Sequence, residues 1–85
     1  MSTKPPWYTY ILCCADSTLY TGVTTDLERR LHEHNHTRRG ARYTRARRPV
    51  SLLYFEQTES RTLATRREWE IKQLSAKEKR ALAAD

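Results

Sequence analysis

Residues that bend or break a chain are scarce here: two glycines and three prolines occur among 85 residues. That excludes a loop-dominated or low-complexity chain and predicts mostly regular structure. Long apolar runs are missing too. Hydrophobic residues make up 38% of the chain, but none of their runs approaches the roughly 20 residues of a membrane-crossing helix. The start, Met1 to Pro6, has no apolar signal core, so the cytoplasm is the expected compartment, with no membrane partner. Cysteine is limited to the adjacent pair Cys13 and Cys14, which excludes the spaced pairs of a zinc or thioredoxin-type site. A vicinal disulfide would be strained, and two free thiols suit a reducing compartment. In a strand the two face opposite ways, one toward the core and one half-exposed.

Acidic residues are absent from residues 35–49, which hold six arginines: Arg38, Arg39, Arg42, Arg45, Arg47 and Arg48. The remaining chain balances ten acids with ten bases, so the whole net charge of +6 belongs to this segment. It contains no lysine. The planar guanidinium grips phosphate oxygens in pairs, which an ammonium cannot do. The clustering points to a polyanion, nucleic acid first, with Tyr43 among the arginines as an added contact.

The local patterns give an order of elements. Residues 7–14 are aromatic and β-rich, 15–18 form a polar turn, and 19–24 resume β character, together a hairpin. Thr25 and Glu28 have capping-box spacing, and a helix with a Leu27–Leu31 stripe should end near Asn35. Residues 35–49 lack periodicity, and connections that long are usually functional. Residues 50–55 read as a third, buried strand. A helix follows from Ser60 to about Leu74, with Leu63, Ala64, Ile71 and Leu74 on one side. Ser75 and Glu78 form a second capping box and open a short last helix. The expected class is α+β: a three-stranded antiparallel sheet flanked by helices, in the order strand, strand, helix, strand, helix, helix. One domain is expected over 1–85, with its core at about 7–83 and modest stability for its size.

Several polar residues in this frame could carry chemistry. Tyr8 and Tyr10 share one strand face, and Tyr20 lies across the hairpin, two residues before Gly22. Any one tyrosine is better explained as sheet filling; a pair of hydroxyls on adjacent strands could orient a water. Arg30 and His34 are neighbours at i, i+4. That spacing alone suits a solvated polar face, yet a fixed Arg can also neutralise a phosphoryl group in its transition state, and a His can trade protons. Glu68 falls about 40° beyond Ala64, at the rim of an apolar stripe, where a carboxylate needs an ion-pair partner or a metal. Glu70 lies off the stripe and should be solvated. Water positioning, charge neutralisation and one hard oxygen ligand are the requirements of metal-assisted phosphodiester cleavage. A lone carboxylate leaves most metal positions to water and phosphate, which suits one magnesium or manganese ion.

These residues resemble a known family. Tyr8-Thr9-Tyr10, nine residues, then Tyr20-Thr21-Gly22 is similar to the paired motif of the GIY-YIG nucleases. Arg30 and His34 stand where the family's helix Arg and, in several branches, its His stand. Glu68-Trp69 resembles its metal-binding segment. The similarity covers roughly residues 7–74, and the stretches 19–35 and 41–50 resemble the small stand-alone bacterial proteins of YhbQ type. The resemblance implies that Tyr10 and Tyr20 handle the attacking water, Arg30 stabilises the pentacovalent phosphate, His34 assists and Glu68 holds the metal. Three positions depart from the pattern: Tyr-Thr-Tyr replaces Gly-Ile-Tyr, Val23 replaces a common Lys, and Arg80 replaces a common Asn. Substrate choice, often left to an attached DNA-binding domain, falls here to the arginine loop, a protein partner or a homodimer.

The leading expectation is a metal-dependent endonuclease acting on nucleic acid, DNA favoured, in a repair setting. The alternative is a non-catalytic nucleic-acid-binding module acting through Arg38, Arg39, Arg42, Tyr43, Arg45, Arg47 and Arg48. A protein-interaction adaptor ranks last, since it leaves the tyrosine, Arg and Glu spacings to chance. The enzyme reading predicts that Tyr10, Tyr20, Arg30 and Glu68 line one open cleft with loop arginines at its rim.

Overall fold

The computed structural model describes residues 4–84. The expected order is present: β1 (Trp7–Cys13), β2 (Leu19–Thr24), α1 (Leu27–His36), a short α2 (Arg42–Arg45), β3 (Ser51–Thr58), α3 (Arg61–Lys72) and α4 (Ala76–Ala83). The class is α+β, with an antiparallel three-stranded sheet in the order β2-β1-β3.

The alternation of β1 divides the core in two. Tyr10, Leu12 and Cys14 pack with Val50, Tyr20, Leu27 and Leu31 on the side of α1. Thr9 and Ile11 face the other way, where α3 lies against β1 and β2. There the buried Thr9 hydroxyl donates to the Ala64 carbonyl at 2.8 Å. A buried hydroxyl must find an acceptor, so this bond fixes where α3 crosses the sheet.

Four local expectations are corrected. Asp26, not Thr25, caps α1: its carboxylate accepts the Arg29 N–H at 3.0 Å. A carboxylate there also suits the positive end of the helix dipole. The third strand is not buried. As an edge strand of a small sheet it has a neighbour on one side only, and Leu52 and Phe55 are exposed. Leu63 is exposed as well, outside the stripe formed by Ala64 and Ile71. Finally, the aperiodic segment contains α2, a single helical turn too short for periodicity to reveal. The second capping box is formed in both directions between Ser75 and Glu78, and Cys14 is buried while Cys13 is half-exposed, both as free thiols.

The segment between α1 and β3 is tied down at several points. Asn35 donates to the Val50 carbonyl at 2.9 Å and accepts the Val50 N–H at 2.7 Å. The Arg48 guanidinium donates to the carbonyls of His34 (2.6 Å), Glu33 (3.2 Å) and Thr37. It thereby supplies donors to carbonyls at the end of α1, where intrahelical partners run out. Arg47 pairs with Asp16 at 3.0 Å and donates to the Tyr43 carbonyl at 2.9 Å. Gly40 presses on α1 so closely that a Cβ would lie 2.7 Å from the Glu33 carbonyl oxygen and 2.8 Å from the His34 Cα. Only glycine permits that approach.

Candidate active site

Tyr10 and Gly22 are directly opposed across the hairpin. The phenol ring lies over Gly22, where a Cβ would stand 2.6 Å from the Tyr10 hydroxyl oxygen. Glycine at this position lets the tyrosine of one strand cross its neighbour and deliver its hydroxyl to α1. The hydroxyl meets Nε2 of His34 there at 2.8 Å. His34, expected on a solvated face from spacing, is fully buried. The residues before α2 and Gly40 cover it, contacts between distant segments that helical spacing does not register.

On the far side of the imidazole, Nδ1 lies 2.8 Å from the Thr44 hydroxyl and takes the Ala41 N–H at 3.4 Å, while Thr44 also donates to the Ala41 carbonyl at 2.9 Å. A continuous hydrogen-bonded row results, Tyr10–His34–Thr44, whose proton positions follow the imidazole tautomer. Thr44 was not among the expected site residues. No local signal marks it, since it belongs to the segment without periodicity.

Burial, with help from the neighbouring Arg30 charge, holds the His34 imidazole down to about 4, so it is neutral at pH 7. This has a consequence for stability. The unfolded histidine titrates at 6.5 and binds a proton below that pH, while the folded one stays neutral until about 4. Stability should therefore fall as pH drops from 6.5 toward 4, by about 3 kcal/mol in all. Asp16 and Glu33 are held below the usual carboxylate range, chiefly by hydrogen bonds from Thr18 and Arg30 respectively, and act lower on the scale. Urea unfolding at pH 7 and pH 5 checks this. His34→Gln should lose most of the difference, and an undiminished difference in that variant would contradict it.

Tyr10 itself is pushed up to about 12, first by burial, then opposed by the Arg30 guanidinium beside it and reinforced by the charges of Tyr20 and Glu68. The resting pair is thus a neutral phenol on a neutral imidazole. Arg30 is held in place by Glu33 at 2.9 Å and by the Arg39 carbonyl at 2.8 Å. Tyr20 packs edge-on to His34, centroids 5.3 Å apart, and stacks with Tyr43 at 6.1 Å. The Arg47 guanidinium covers the Tyr43 ring at 3.8 Å. Tyr10, Tyr20, Arg30 and His34 are accordingly one cluster.

The two recesses beside them do not include Glu68. Tyr10 and Arg30 line a narrow crevice with Leu27, Leu31 and Leu52. Tyr20 instead lines a wider cleft of about 210 Å³ with Leu19, Thr21, Tyr43, Lys72 and Lys79. Glu68 lines neither, although its charge reaches Tyr10. Its carboxylate is half-buried and pairs with Lys72 at 3.1 Å. Glu70, expected to be solvated, is half-exposed and pairs with Arg67 at 3.3 Å. Lys72 is a partner that the i, i+4 spacing could have revealed.

Among the described residues no group of three or more His, Cys, Asp or Glu side chains could hold a metal ion. One carboxylate fits a hard ion that keeps most of its ligands as water and phosphate oxygens, and only if Lys72 gives way. The loop arginines divide. Arg47 and Arg48 are committed to the fold, whereas Arg38, Arg39, Arg42 and Arg45 are exposed. No described helix is long and apolar enough to cross a membrane.

Comparison with known proteins places these features in a family. Residues 6–81 match the model of the GIY-YIG catalytic domain. A UPF0213 protein of Desulfotalea psychrophila is 56% identical over 79 residues, covering 93% of this chain and 72% of that protein. One of Natronomonas pharaonis is 53% identical over 78 residues, covering 92% and 91%. The solution NMR structure of a UPF0213 protein from Bacillus halodurans superposes with a TM-score of 0.58 at 42% identity, covering 93% of this chain and 83% of that one. A second NMR structure, from E. faecalis, gives 0.60 at 38% identity, covering 95% and 85%.

Proposed function

This chain belongs to the GIY-YIG catalytic-domain family, a nuclease family acting on nucleic acid with divalent metal, and on that premise we propose that it is an active endonuclease hydrolysing DNA phosphodiesters. The observation that carries the reading is the 2.8 Å hydrogen bond between the Tyr10 hydroxyl and His34 Nε2, beside Arg30 and Tyr20. In this reading Tyr10 donates to His34 Nε2, takes a hydrogen bond from Arg30, and accepts from the attacking water with its remaining lone pair. As that water's oxygen bonds to phosphorus, its proton passes to Tyr10 and the tyrosine's own proton to His34. The ester oxygen on the far side leaves with its bonding pair. Arg30 neutralises the charge that gathers on the phosphoryl oxygens. Tyr20 shares the positioning of the water.

Glu68 is the residue that would hold the ion. When bound, the ion polarises the phosphate and turns the acid-weakening influence of Glu68 on Tyr10 into an acid-strengthening one. Arg38, Arg39, Arg42 and Arg45 would supply phosphate contacts that register the strand without reading its sequence. DNA repair is the setting such an activity fits.

The direct test is incubation of the purified protein with duplex, nicked, flapped and branched DNA, with magnesium or manganese and with EDTA. Metal-dependent nicking of at least one substrate is the expected result. Binding to all four with no cleavage in any metal would leave the arginine group as a binding surface and refute the enzyme.

A further inference from the structure

The cleft of about 210 Å³ at the outer edge of β2 is not needed for the proton chain, yet its lining is distinctive. Its aromatic lining is the stacked pair Tyr20 and Tyr43, with one face of Tyr43 covered by the Arg47 guanidinium. Its charged lining is cationic, Lys72 from α3 and Lys79 from α4, and no carboxylate lines the cleft. Lys79 has no ion-pair partner among the described residues. Thr21, also on the lining, carries the one buried side-chain polar atom without a hydrogen-bond partner among the described residues. A recess that combines flat rings with two ammonium groups matches a nucleotide: a π face and an anionic phosphate.

We infer that this cleft is a subsite for one unpaired nucleotide of a single strand, its base against the Tyr20–Tyr43 wall and its phosphate between Lys72 and Lys79. A paired base cannot enter, because both of its faces are stacked within the duplex; only a splayed or single-stranded one presents a face to an aromatic wall. The inference rests on the nuclease reading for its context, since Tyr20 is shared between the cleft and the catalytic cluster. Because Tyr20 belongs to both the cleft and the catalytic cluster, the subsite favours substrates with an unpaired nucleotide near the scissile bond. Lys72 gains a second role: released from Glu68, it has a phosphate to turn to.

Binding of a labelled thymidine octamer and of a duplex of equal length, followed by fluorescence anisotropy in EDTA, tests this without any cleavage. Tyr43→Leu should weaken octamer binding by roughly tenfold, within the range of one base–aromatic stack, and Tyr43→Phe should restore it. Lys79→Gln should reduce the salt slope of octamer binding by about 0.7, the loss of one phosphate contact on a single strand. Duplex affinity should change less than twofold in each. Octamer binding unaltered in Tyr43→Leu and Lys79→Gln, or a duplex loss equal to the octamer loss, would overturn the subsite. Because EDTA removes cleavage from the measurement, the subsite can fail while nicking persists, and nicking can fail while the subsite stands.

Discussion

Tyr10→Phe should lower the cleavage rate by about 10²- to 10⁴-fold, the span associated with losing a positioned proton-transfer group, while leaving DNA affinity within twofold. The substitution removes one oxygen and keeps the ring that packs over Gly22 and against Leu12 and Val50. What it deletes is the group between an incoming water and His34. The structural side effect is limited. His34 Nε2 loses its hydrogen-bond partner, which costs on the order of 1–3 kcal/mol for an unsatisfied buried polar atom. Assays should therefore be run well below the variant's unfolding midpoint. Single-turnover cleavage with enzyme in excess checks the prediction, since a binding defect is then saturated and a chemical one is not. A variant that cleaves within threefold of the unaltered protein would mean that Tyr10 is only core filling.

The fold was legible where local chemistry decides and illegible where distant segments meet. The hairpin, the Ser75–Glu78 capping box and the division of Cys13 from Cys14 all follow from neighbours in sequence. Burial of β3 did not follow, because a continuous apolar run says nothing about whether a strand has one neighbour or two. The catalytic candidates show the same split. Tyr10, Tyr20, Arg30 and Glu68 could be named from the motif and the helix rim. The deep burial of His34 and the role of Thr44 depend on residues 38–44 folding back over α1, with Gly40 small enough to allow it. The six arginines looked equivalent as charges. The structure separates them: Arg48 closes the end of α1 and Arg47 bridges to Asp16 and Tyr43, so four remain exposed for a ligand.

The pairing of Glu68 with Lys72 sharpens the expectation for the metal site. In the structure the carboxylate is answered by an ammonium rather than left bare, so an arriving ion must compete with it. Lys72→Met should then tighten metal binding, whereas removing the carboxylate should remove the site. Glu68→Ala also frees the Lys72 charge, so DNA affinity in EDTA should hold or rise, never fall. Loss of cleavage together with loss of binding would instead mark Glu68 as a structural ion-pair partner.

Magnesium-dependent nicking and EDTA-phase DNA affinity, measured side by side on Glu68→Ala and the unaltered protein, put the whole proposal at risk in one comparison. The site described predicts nicking reduced at least about 10²-fold with affinity equal or higher. Nicking that survives the substitution would contradict it, whatever the surface charge achieves.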